Sequence, residues 1–317
     1  MTKRFRIIFM GTPDFAVPPL KALHKSSHDV ALVVTQPDRP KGRGRIIASP
    51  PAKKAAEALG YNLIQPLDIR SEAFEKQITG IAPDLIVVVA YGKILPKNIL
   101  NLPQIGTINI HASLLPKYRG PAPIHWAIIN GEKETGVTSM FVDEGLDTGD
   151  ILLSSKVEIA PNDTSATLHD RLSLLGGDLL VRTLAALEAG ELKPIPQDHA
   201  RATHSTLLKK KDGHIDWKKS AKKLDAFIRG MTPWPGAFTF YGTRRLNIFS
   251  ACPVSMDADE KPGTVIKSFP DELRVATGKG ALSITEIQGA SGKRLQIKEF
   301  LRGCKITAGT VLGLYNT

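Results

Sequence analysis

Residues 107–128 read TINIHASLLPKYRGPAPIHWAI, and the pattern changes character along the stretch. Side chains alternate between the two faces of a strand, so Ile108, Ile110 and Ala112 point one way while Asn109, His111 and Ser113 point the other. A strand buried in a parallel sheet ordinarily reads as a nearly unbroken apolar run. A line of Asn, His and Ser therefore marks either an edge strand facing water or the end of a central strand at a polar site.

The preceding sequence favours the second reading. Arg6–Met10, Ala31–Thr35 and Leu85–Ala90 (LIVVVA) are expected strands, and Pro13–His24 and Ser49–Leu59 are expected helices, the latter with Ser49 as N-cap ahead of Pro50 and Pro51. Strands alternating with helices predict an α/β fold, a doubly wound and mostly parallel Rossmann-like sheet, whose ligands sit beyond the carboxyl ends of its strands. Asn109, His111 and Ser113 lie at such an end. The first strand-to-helix turn, Gly11–Asp14, is GTPD and lacks the three-glycine spacing that admits a pyrophosphate, so no dinucleotide is expected.

Downstream, Glu134–Val142 and Ile151–Ile159 read as strands joined by DEGLDTGD, residues 143–150, where Asp147 has the default role of capping its own backbone. Thr164–Glu188 predicts a long amphipathic helix with Leu168, Leu172, Leu175, Leu179 and Leu187 on its apolar side, and His169 on it is expected at the surface or in the core. Residues 190–208 are polar and aperiodic, contain Pro194 and Pro196, and are the expected linker between a domain at 1–189 and another at 209–317. The second begins with Lys209, Lys210 and Lys211, continues through a helix near Ser220–Ile228 and PWPGA at 233–237, and ends in short strands with a Gly278-Lys279-Gly280 hairpin turn. That arrangement predicts a small OB-like β-barrel.

Apolar residues make up 42% of the chain, in runs too short and too interrupted to span a bilayer. The basic N-terminus is followed by only a brief apolar run ending in Gly-Thr-Pro-Asp, which reads as a first strand and not as a secretory signal. Cys252 and Cys304 form neither a metal-binding spacing nor a disulfide scaffold, and a reducing cytoplasm is the expected compartment. The net charge is +11, and residues 205–317 supply most of it, with 19 Lys and Arg against 10 Asp and Glu. A basic module beside a near-neutral one is the footprint of a nucleic-acid partner. Residues 36–50 form a long Gly- and Pro-rich loop carrying Arg39, Lys41, Arg43 and Arg45, read as a basic finger that contacts phosphates.

Asn109, His111 and Asp147 offer an amide donor, an imidazole and a carboxylate. One His and one Asp without a third spaced ligand do not make a metal site, and no Gly-x-Ser-x-Gly turn presents Ser113 as a nucleophile. The set suits a tetrahedral intermediate that carries an oxyanion.

These segments also carry a family resemblance. HASLLPKYRGPAPI (111–124), GTPDFAVPPL (11–20), TQPDRPKGRG (35–44), VVAYGKILP (88–96), GLDTGDIL (145–152), IDW (215–217) and PWPGA (233–237) resemble the methionyl-tRNA formyltransferases, among the folate-dependent formyltransferases, in the same order across both domains. The resemblance implies formyl transfer from 10-formyltetrahydrofolate, as co-substrate, to the amino group of methionyl-initiator tRNA, with no metal and no membrane partner; the sequence leaves the oligomeric state open, a monomer among the options. It implies that 1–189 is catalytic and 209–317 binds tRNA. It also implies that Asn109 and His111 stabilise the oxyanion and that Asp147 orients His111 and helps move the proton. Ser113, Leu114, Leu115 and Pro116 would border the folate, and Arg39, Lys41, Arg43, Arg45 and Lys209–Lys211 would contact tRNA. Transfer to a small amine, hydrolysis of formyltetrahydrofolate, and RNA binding without catalysis are the rival readings.

Overall fold

The structure, a computed structural model, describes residues 4–41, 44, 46–256, 259–289 and 292–313. The chain opens with β1 (Arg6–Gly11), a short 3-10 turn at Asp14–Ala16 and α1 (Val17–His24), where the sequence predicts one helix from Pro13. Pro18 and Pro19 lack backbone N–H groups, which a first helical turn tolerates and a helix interior does not. Next come β2 (Asp29–Val34) and an antiparallel hairpin of β3 (Arg39–Lys41) with β4 (Ile46–Ala48), in place of the irregular loop expected at 36–50. α2 (Pro51–Ala58) has Pro50 at its N-cap. Ser49, the expected cap, donates instead to Asp38 Oδ2 at 3.1 Å.

The first part continues with β5 (Leu63–Ile64), α3 (Glu72–Ile81), β6 (Leu85–Val89), α4 (Lys97–Leu100), β7 (Gly106–His111), α5 (Pro123–Ile129), β8 (Glu134–Phe141), β9 (Ile151–Glu158) and α6 (Ser165–Glu188). Seven strands form one sheet in the order β5-β2-β1-β6-β7-β8-β9. β5, β2, β1, β6 and β7 run parallel, whereas β8 pairs antiparallel with β7, and β9 antiparallel with β8. The order reverses between β1 and β6, so the carboxyl ends of β1, β6 and β7 border the crevice that this topology opens to ligands. Ile7, Ile8, Phe9 and Met10 of β1 are fully buried, as a central strand requires.

β7 is not an edge strand, because β6 and β8 flank it. A Cβ added to Gly176 of α6 would lie 3.1 Å from Ile110 Cγ2, so this glycine lets the helix close on the apolar face of β7. Asn109 and His111 occupy the opposite face. On α6, Leu168, Leu172 and Leu179 are fully buried, and His169 stacks edge-on against Phe15.

The C-terminal part holds α7 (Ala221–Met231), β10 (Ala237–Tyr241), β11 (Arg244–Val254), β12 (Val265–Lys267), β13 (Leu273–Ala276), β14 (Ala281–Gln288), β15 (Arg294–Gln296) and α8 (Ile297–Gly303). Its strands make a six-stranded antiparallel sheet in the order β10-β11-β14-β13-β12, with β15 also on β14. Irregularities in the β11 register at Ile248–Ala251 bend the long strand, and the sheet curls into a half-barrel. Contacts divide the chain into two compact units, one of residues 1–123, 134–158 and 169–205, the other of 124–133, 159–168 and 206–317.

Replacing Ile8 by Ala leaves a void at the centre of the first sheet. Urea denaturation should show a loss of about 2–5 kcal/mol, the usual cost of truncating a buried aliphatic side chain to Ala.

Candidate active site

The carboxyl end of β7 delivers His111 and Asn109 to one place. His111 is 7% exposed, and its Nε2 lies 2.9 Å from the carbonyl oxygen of Tyr118. A carbonyl only accepts, so Nε2 carries the hydrogen and donates it. In the neutral imidazole this leaves the lone pair on Nδ1, which faces Asp147 Oδ2 at 3.5 Å. The half-buried Asn109 side chain has no hydrogen-bond partner among the described residues, so its amide is available to a ligand.

Asp147 departs from its default role. Its carboxylate accepts from the backbone N–H of Gly120 at 2.8 Å instead of capping its own turn. That turn is held by Asp143, which accepts from Gly145 N–H and from the Thr148 hydroxyl. Asp147 itself sits at φ +53°, a left-handed conformation that Asp tolerates better than most residues. Gly120 has φ +97°, and a Cβ there would fall 2.8 Å from the Ser205 carbonyl oxygen, so only glycine brings this N–H to the carboxylate.

The structure brings together His111 and Asp147, which the sequence singles out, with Tyr118, Gly120, Arg119 and Gln197, which it does not. Tyr118 and Gly120 act through main-chain atoms, which carry no side-chain signal. Arg119, 3% exposed, directs Nε and one terminal nitrogen to Gln197 Oε1, at 3.0 and 2.7 Å, and the other to His199 Nδ1 at 3.1 Å. Residues of the expected linker thus contact the site loops directly: Thr203 and Ser205 bond the Arg119 backbone, and Ile195 pairs with Ile151.

Of the residues read as a folate border, Ser113 is fully buried with its hydroxyl donated to the Lys117 carbonyl, and Leu115 is buried with its N–H on Thr138 Oγ1. Leu114 and Pro116 are half-buried. A cleft of about 460 Å³ opens beside the Asp147 loop, lined by Lys97, Leu100, Asn101, Val142, Asp143, Glu144 and Gly145, and none of Ser113–Pro116 lines it. Lys97 spans to Glu144 at 2.6 Å, and that carboxylate raises the lysine above its ordinary value.

Of the basic residues, Arg39 is exposed on β3, and Lys209, Lys210 and Lys211 are exposed around a 3-10 turn at 210–213. Arg43, Arg45 and the Lys41 side chain lie outside the described residues. The root of the β3–β4 hairpin is fixed by Asp38, which accepts from Gln65, Lys53 and Ser49. Those hydrogen bonds, Gln65 first and Lys53 next, hold its carboxyl below the ordinary range. Among the described residues no group of three or more His, Cys, Asp or Glu could hold a metal ion, and no helix is long and apolar enough to cross a membrane.

Comparison with known proteins bears on the chemistry. The family model for formyl transferase matches residues 3–184, and that for the formyl transferase C-terminal domain matches 207–305. The methionyl-tRNA formyltransferase of Desulfotalea psychrophila is 50% identical over 310 residues, 98% of this chain and 96% of the relative. That of Pelotomaculum thermopropionicum is 50% identical over 309 residues, 97% of this chain and 98% of the relative. Among solved structures, HypX from Aquifex aeolicus in complex with tetrahydrofolic acid superposes with a TM-score of 0.63 at 19% identity, over 94% of this chain and 47% of that one, so this chain spans about half its length. WlaRD, a sugar 3N-formyl transferase, gives 0.64 at 21% identity over 92% of this chain and 100% of that one. These two likenesses concern the fold.

Replacing Gly120 by Ala strains a left-handed residue and pushes it against Ser205, a cost of about 1–3 kcal/mol. Thermal unfolding should show that loss, and turnover should fall as well because the displaced N–H of residue 120 no longer reaches the Asp147 carboxylate.

Proposed function

The chain belongs to the methionyl-tRNA formyltransferase family, and we propose that Asn109, His111 and Asp147 carry out its formyl transfer. The enzyme moves a formyl group to the free amino group of methionine esterified to initiator tRNA, giving formylmethionyl-tRNA for translation initiation. The formyl donor is 10-formyltetrahydrofolate, as co-substrate. The observation that carries the residue assignment is the Nδ1 of His111 facing Asp147 at 3.5 Å, beside an Asn109 amide with no hydrogen-bond partner among the described residues.

A free α-amino group has a pKa near about 8, and esterification of the neighbouring carboxyl lowers it, so much of the amine is neutral at pH 7. The barrier lies in the charge that develops on the formyl oxygen. Asn109 donates its amide hydrogen there. As the amine nitrogen bonds to the formyl carbon it must lose a proton, which the Asp147 carboxylate takes and relays to the Nδ1 lone pair of His111. The imidazolium so formed is paired with Asp147 and adds positive charge beside the oxyanion. Breaking the bond between the formyl carbon and N10 then returns the proton to N10, and the site is reset.

We assign the pterin end of the co-substrate to the cleft beside the Asp147 loop. Leu100 and Val142 supply apolar surface for a flat ring, and the Asn101 side chain supplies a polar partner for it. With Ser113 and Leu115 turned into the scaffold, Leu114 and Pro116 are the members of that segment that border the co-substrate. Arg39, Lys41, Arg43, Arg45 and Lys209–Lys211 hold the tRNA backbone, with 1–189 as the catalytic part and 209–317 as the RNA-binding part. A reducing cytoplasm suits the two free cysteines. Transfer to a small amine or to water would leave the net charge of residues 205–317 without a role.

Asn109→Ala should lower kcat by about 100- to 1,000-fold, the usual loss for one oxyanion donor, and His111→Ala by about 100- to 10,000-fold, the usual loss for an acid–base group, with tRNA dissociation constants within about threefold of wild type. Parallel loss of tRNA binding would reject the assignment. Wild-type tRNA affinity should fall steeply and linearly with the logarithm of salt, and Arg39→Ala should flatten that slope. Labelled formylfolate offered methionyl-tRNA, small amines and water in turn separates the rival acceptors.

A further inference from the structure

We propose that Gln197 is a positioning residue for formyl transfer, locking the loop that carries Asp147. The proposal rests on the reading that Asp147 acts with His111. Gln197 is 6% exposed, and every part of its amide is engaged. Its nitrogen donates to the carbonyl oxygens of Asp147 at 3.0 Å and Gly149 at 2.7 Å. Its oxygen accepts twice from Arg119, at 3.0 and 2.7 Å. Two carbonyls can only accept and a guanidinium can only donate, so the amide has one orientation.

The consequence is a closed circuit around the imidazole. His111 bonds the Tyr118 carbonyl, and Gly120 N–H holds the Asp147 carboxylate. Arg119, between those two residues in sequence, holds Gln197, which returns to the Asp147 carbonyl. Asp147 is thus tied at both its side chain and its main chain. A left-handed residue in a short Gly-rich turn needs such a tether, because a misplacement of about 1 Å at reacting groups can cost about 100-fold in rate. The buried Arg119 guanidinium is satisfied by an amide and an imidazole and has no carboxylate partner among the described residues. A carboxylate at 197 would pair with it but could not donate to the two carbonyls.

Gln197→Glu separates the two roles, since it keeps the shape and the contact to Arg119 while removing both donors to the loop. Gln197→Met removes the donors and the acceptor together and serves where the Glu variant folds poorly. Each is combined with Asp147→Ala in a double-mutant cycle read by single-turnover formyl transfer to methionyl-tRNA. Expected is a 10- to 100-fold lower rate for the single variants, roughly the scale of a positional error, with KM for methionyl-tRNA within about threefold. In the Asp147→Ala background the same substitutions should change the rate by less than about threefold. A near-wild-type rate in the single variants overturns the proposal, as does a full loss repeated in the Asp147→Ala background. A fully active Asp147→Ala enzyme overturns the underlying reading, and this proposal with it.

Discussion

The site depends on one buried arrangement, the imidazole of His111 held between the Tyr118 carbonyl and the Asp147 carboxylate. The first contact fixes which ring nitrogen carries hydrogen, and the second places a carboxylate beside the other. Neither partner is near His111 by sequence logic alone. Tyr118 comes from the irregular turn after β7, and Asp147 from the connection between β8 and β9. β8 returns antiparallel beside β7 and ends at Phe141 opposite Ile108, near the amino end of β7, so the connection to β9 has to fold back along β7 to bring Asp147 to His111.

The same arrangement explains why so much of the surrounding chain is irregular. Tyr118, Ala122 and Asp147 all have positive φ, and Gly120 occupies a conformation with no room for a side chain. Such backbone persists only when its surroundings over-determine it. Here the determinants are main-chain hydrogen bonds from residues 203–205 and the side chains of Arg119 and Gln197.

Most of the fold was legible from period and composition. The buried strands, the long helix over 165–188 and the curled basic sheet all follow from apolar spacing and turn residues. The β3–β4 hairpin was not legible, because Pro40 and the glycines of that stretch suppress any strand signal, and Ile46 and Ile47 are exposed and so break the link between apolar and buried. The Ser49 cap failed for a local reason, since Asp38 offers its hydroxyl a charged acceptor. At the site, Asn109 and His111 were visible as polar residues on an apolar strand. Gln197 was invisible, because a lone polar residue in an aperiodic stretch has the same signature whether it faces water or a buried loop.

The central claim is that the fold presents His111 with its hydrogen on Nε2 and its lone pair on Nδ1, toward Asp147. Nitrogen-15 NMR of histidine-labelled enzyme, assigned through loss of one signal in His111→Gln, reads this tautomer directly. The account predicts that neutral His111 shows a protonated Nε2 and an imine-type Nδ1. A protonated Nδ1 with an imine-type Nε2 would contradict it.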